Sequence, residues 1–198
     1  MADKDKILEL ALDHIHYYES RRGKSVGIDR DKDGNELTRG EYHIKHSTAK
    51  NLDPKYKNME IDGYTAMIES DAGPAEEKRL AKLYLEKIMK ESRVDFSGLT
   101  LGESVAFLSM NYNSGLNANP TTQKAFRFLA NARNRNDPNL GLYIETAIGS
   151  IDLTSVAGEP SNGVMNRTKS HKQTARGALI VDATMKDSGK ESVTAENR

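Results

Sequence analysis

The chain has no cysteine. That excludes a disulfide framework, thiol nucleophiles and zinc–thiolate sites. It has no net charge either: 29 Lys and Arg balance 29 Asp and Glu. No whole-chain field therefore draws it to nucleic acid or to an acidic cell wall. A local cationic run, Arg21-Arg22-Gly23-Lys24, reads as solvated surface. The opening MADKDKILEL lacks an extended apolar stretch, so neither a secretory leader nor membrane insertion is expected. No internal repeat is visible. What the chain does have is 36% apolar and 29% charged residues over 198 positions. That suits a soluble globular protein with one substantial core, or a small lobe beside a larger one.

One stretch organises the rest, His14 to His43. Before and into it, Ile7, Leu8, Ala11, Leu12, Ile15 and Tyr18 recur at helical spacing, which predicts an amphipathic helix from about Lys4 to Tyr18. Glu19 stands where that helix gives out. Gly23 and Gly27 break the run, and Asp33-Gly34 marks a hairpin turn between strands near Ser25–Asp29 and Glu36–Ile44. A carboxyl group at a helix end and a second carboxylate on a hairpin are what a glycosidase requires. One protonates the glycosidic oxygen and the other handles the attacking water.

These residues resemble the phage lysozymes, the muramidases used as endolysins or virion enzymes. That family carries a glutamate at the end of its first helix, then Asp-x-x-Gly in a turn, then Thr-x-Gly-x-Gly-His. Here the matching residues are Glu19, Asp31-Lys32-Asp33-Gly34 and Thr38-Arg39-Gly40-Glu41-Tyr42-His43. Tyr42 replaces the second glycine, and the hairpin is longer than in the family. Asp29, Asp31 and Asp33 compete for the second carboxylate; Asp31 alone keeps the Asp-x-x-Gly relation. Tyr112-Asn113-Ser114-Gly115 is similar to the family's aromatic-Asn-x-Gly turn. Gly163-Val164-Met165-Asn166-Arg167 partly matches a Gly-Leu-x-x-Arg-Arg segment, with Thr168 in place of the second arginine. The resemblance implies catalytic Glu19, Asp31 and Thr38, with Tyr112, Asn113 and Arg167 binding substrate. It implies no metal and no cofactor. It also implies inversion at the anomeric carbon, with the two carboxyl groups about 6.5–9.5 Å apart.

Further along, residues 45–76 are polar and broken by Pro54, Gly63, Gly73 and Pro74. They read as an insertion with one short element near Met59–Ile68. Residues Ala75 to Arg93 predict a long helix, with Leu80, Leu83, Tyr84, Ile88 and Met89 inward. Leu101–Asn111 is apolar nearly all round and predicts a buried central helix closed at Gly115 by a positive φ. A helix should start at Pro120 and run to Asn131 or Arg133, with Ala125, Phe128 and Leu129 inward. Leu140–Ile151 and Val164–Thr184 predict two more helices.

The expected fold is α+β and mainly helical. A single lysozyme-like domain over 1–182 would have a hairpin lobe (14–76, insertion 45–76) and a helical lobe (77–182) joined by the long helix. The substrate cleft would lie between the lobes, and 183–198 would form a flexible tail. The expected partner is bacterial peptidoglycan, with other virion proteins as candidates and no nucleic acid. The expected location is the host cytoplasm before release to the wall, or the virion. Two other readings remain open. Asp29, Asp31 and Asp33 match the first half of an EF-hand calcium loop, but Gly40 stands at position twelve where a bidentate glutamate belongs. An inactive virion structural protein that keeps the fold is the third reading. His43 is expected to tie the hairpin to the following loop. His14 and His16 fall on different helix faces, which disfavours a shared metal site.

Overall fold

The computed structural model describes residues 3–20, 28–30, 36–116, 119–151, 155–156, 159–160 and 162–176. For 18–20, 28–30, 36–39, 155–156, 159–160 and 162–167 the description covers the backbone alone. The protein is mainly helical, with eight α-helices among the described residues. They are α1 (Lys4–Ser20), α2 (His46–Leu52), α3 (Ile61–Ile68), α4 (Gly73–Ser92), α5 (Leu101–Ser114), α6 (Pro120–Asn134), α7 (Leu140–Gly149) and α8 (Asn162–Ala175). Short strands form two antiparallel pairs: β1 (Ile28–Arg30) with β2 (Glu36–Arg39), and β3 (Ser155–Val156) with β4 (Glu159–Pro160).

The chain divides into two compact units. One spans Leu8–Lys87. In it, α1 buries Leu8, Ala11, Leu12 and Ile15, the stripe that its spacing predicts. The segment 45–76 is more ordered than its composition suggests. It forms α2, a 3₁₀ turn at Pro54–Tyr56 and α3, and buries Ala49, Tyr56, Tyr64 and Ile68. Four apolar anchors between positions 49 and 68 suffice to fix helices that sequence propensity alone leaves weak. Tyr56 and Tyr64 meet edge to face at 5.7 Å, and the Tyr64 hydroxyl donates to the Ile44 carbonyl at 2.8 Å.

Arg79 on α4 ties the 3₁₀ turn down as well. Its Nε donates to Glu76 Oε2 at 2.8 Å, and its Nη2 reaches both Glu76 Oε1 (2.9 Å) and Asp53. Lys55 and the Tyr56 hydroxyl bond the same Glu76 carboxylate. Hydrogen bonds from Arg79 lead in holding the Glu76 carboxyl far below its usual range, against the cost of burial.

The other unit holds the start of α1 and what is described from Ile88 onward. Its centre is α5, buried from Gly102 to Tyr112, as its all-round apolar sequence predicts. A capping box starts it: the Thr100 hydroxyl accepts from Glu103 N–H, and the Glu103 carboxylate accepts from Thr100 N–H. Gly115 ends it at φ 76°, where a side chain would be strained. Phe107 of α5 lies 5.1 Å from Phe126 and 5.8 Å from Phe96. Glu103 is also held by a two-pronged ion pair with Arg133 of α6, at 2.6 and 2.7 Å.

Phe128, expected inward, is 49% exposed, while Phe126 is fully buried. Two phases of α6 satisfy the helical spacing, and the one that faces α5 places Phe128 on the outside beneath Lys124. The final helix is described to Ala175, and the expected tail 183–198 lies outside the described residues.

Candidate functional site

Glu19 belongs to the last turn of α1, one residue before the helix ends at Ser20. Thr38 lies in β2, and its Cα pairs with that of Asp29 in β1. The register shifts between Asp29 and Arg30, where Arg30 pairs with Glu36. Asp31, Asp33, Gly34 and the cationic run 21–24 lie outside the described residues, as do the side chains of Glu19, Thr38 and Arg167. Arg167 sits on α8. Tyr112 is buried near the end of α5. Asn113 is exposed and turns back to donate to the Ser109 carbonyl at 2.9 Å. That bond closes the helix end, the backbone role its position before Gly115 suggests.

Gly40 has φ 89°, in the left-handed region that favours glycine. Its missing side chain matters as much as its backbone. A Cβ built there would overlap the carboxyl group of Glu77 on α4 outright. That carboxyl accepts the Glu41 N–H at Oε2, 2.6 Å away. His43 then takes φ 52°, a second left-handed residue in four. The turn Gly40–His43 is thus wrapped around one buried carboxyl group.

Glu77 is 1% exposed. Burial pushes its carboxyl up from the ordinary 4.5 to about 7; the Glu41 backbone bond pulls it down, and the Glu41 charge adds to the rise. Tyr42 is buried. Its hydroxyl is pushed up to about 12, first by burial and then by Asp13, Glu41 and Glu77. From α1, His16 Nε2 meets Glu41 Oε2 at 3.2 Å, and the His16 ring lies 5.3 Å from that of Tyr42. His46 instead offers Nε2 to the Met59 carbonyl at 2.9 Å. Among the described residues no group of three or more His, Asp or Glu side chains could hold a metal ion.

Sequence reasoning missed Glu77, although a signal was present. The buried positions of α4 are Leu80, Ala81, Leu85 and Ile88. Extended backward by three and four residues, that stripe lands on Glu77. A charged residue on the inward face of a long helix is costly unless it bonds something, and here it bonds the turn.

No helix among the described residues is long and apolar enough to cross a membrane. No protein-family profile, curated protein or solved structure matches this chain.

Proposed function

We propose that this protein is a phage-type lysozyme, cleaving the β-1,4 bond between N-acetylmuramic acid and N-acetylglucosamine in bacterial peptidoglycan. The observation that supports it most is local. The helix carrying Glu19 ends one residue later, and an antiparallel strand pair follows that carries Thr38 and leads out through a left-handed Gly40. That order gives structural sense to the motif Thr38-x-Gly40-x-x-His43. Glu19 donates its proton to the leaving oxygen, which requires a carboxyl still protonated near neutral pH. Asp31 holds and activates the water, with the Thr38 hydroxyl as a second partner. Attack from the face opposite the leaving group inverts the anomeric centre. Asp29 is the rival for Asp31, since its backbone lies opposite that of Thr38. The action is on the wall, reached from the host cytoplasm or from the virion, and the resemblance assigns substrate binding to Tyr112 and Arg167.

The calcium reading fits less well. Asp29 would be the first ligand of an EF-hand loop, which follows a helix. Here it lies inside a strand paired with β2.

Single substitutions to asparagine at positions 29, 31 and 33 test the assignment. Turbidity loss of purified wall should fall by about 100-fold or more for Asp31→Asn. Full activity in that variant, with loss at Asp29→Asn, would transfer the role to Asp29. Full activity in all three would end the two-carboxylate reading.

A further inference from the structure

We propose that Glu77 is a positioning residue: its carboxyl anchors the turn that follows β2 and thereby sets where β2 presents Thr38. The role assigned to Thr38 rests on the lysozyme reading; the anchoring does not.

The argument starts from Gly40. Arg39 ends β2, and the next residue must turn left-handed while leaving room for a foreign group. The group that fills the room is the Glu77 carboxyl, where a Gly40 Cβ would otherwise sit. Its Oε2 then accepts the backbone N–H of the next residue, Glu41, at 2.6 Å. Glu77 comes from the second turn of α4, a 20-residue helix, so the anchor is fixed to a rigid element. That bond and the filled notch leave the two residues between Thr38 and Glu41 little freedom. Displacement of a catalytic side chain by about 1 Å can cost on the order of 100-fold in rate, so an anchor two residues from Thr38 matters to chemistry without touching substrate.

A charged acceptor grips N–H groups more strongly than a neutral one, so the anchor tightens as Glu77 loses its proton. Several groups face it. Glu41 on the same turn opposes its ionisation, and the Tyr42 hydroxyl lies beside it. Asp13 and His16 approach from α1, Asp13 toward Tyr42 and His16 through its pairing with Glu41. The proton that leaves Glu77 near neutrality leaves from inside this set.

Amide resonances and activity together provide the test, on the whole chain. The Glu41 N–H shift of the native protein should titrate with a midpoint at about 7. Glu77→Gln keeps an acceptor and cannot ionise, so it should abolish that step. On solubilised peptidoglycan, Glu77→Gln should retain activity with a flatter pH profile around neutrality. Glu77→Leu should lower kcat on the order of 10- to 100-fold with little change in KM. An identical titration of the Glu41 amide in the Glu77→Gln protein would overturn the anchoring. A native kcat in a folded Glu77→Leu protein would overturn the positioning role. A native protein that hydrolyses nothing at any pH would instead overturn the lysozyme reading and the role of Thr38, while the Glu41 amide still decides the anchor.

Discussion

Replacing Glu77 by glutamine should change how stability depends on pH. The folded chain holds the Glu77 proton up to about pH 7, whereas the unfolded chain releases it near 4.5. Below about 4.5 both states are protonated, and the contribution is fully present. As pH rises toward 7 the unfolded state alone ionises and gains on the folded one, and above about 7 the contribution is gone. The interval spans about 2.5 pH units, which at about 1.36 kcal/mol each makes about 3 kcal/mol. With Glu77 1% exposed, little solvent screening reduces it. Glutamine occupies the same notch, offers Oε1 to the Glu41 N–H and stays neutral throughout. Urea unfolding of both proteins, followed by far-ultraviolet circular dichroism from about pH 4 to 8, isolates this one group by difference, because every other titration is shared. The difference in ΔG should move by about 3 kcal/mol across the range in favour of the glutamine variant at high pH. A flat difference would refute the claim that burial dominates this carboxyl.

Other substitutions probe the remaining structure. Gly40→Ala should cost about 1–2 kcal/mol through its left-handed backbone alone, and more through overlap with Glu77. In a Glu77→Ala background the overlap part should vanish, a coupling that a double-mutant cycle by urea unfolding reads directly. Arg133→Met strands the buried Glu103 carboxylate and should destabilise by about 3–5 kcal/mol in the same assay; a loss below about 1 would contradict the buried pair. Tyr64→Phe removes the bond to the Ile44 carbonyl and should cost about 1–2 kcal/mol.

How far the sequence could be read depended on whether a single periodicity ruled each segment. In α1, Leu8, Ala11, Leu12 and Ile15 admit one inward face, and that face is buried. In α5 an all-round apolar run admits only a central position, and Gly115 supplies its stop. In α6 the expected inward stripe of Ala125, Phe128 and Leu129 holds for Ala125 and Leu129, while the partner helix takes Phe126 in place of Phe128. The helices of 45–76 were faint because their stability comes from long-range contacts, such as Tyr64 to Ile44 and Tyr56 to Glu76. Of the site, Gly40 was legible as a motif position, but its reason was not. That reason is a carboxyl 37 positions along the chain, in a helix whose charged residues otherwise read as a solvated face.

The most direct measurement is product analysis. Purified peptidoglycan is incubated with the native protein and with Glu19→Gln, and the new reducing ends are identified by reduction and mass spectrometry, with the initial anomer read by NMR. The account predicts N-acetylmuramic acid at the new reducing ends, released first as the inverted α anomer, and almost none from the Glu19→Gln variant. Reducing ends of N-acetylglucosamine, a retained anomer, or equal release by the variant would contradict it.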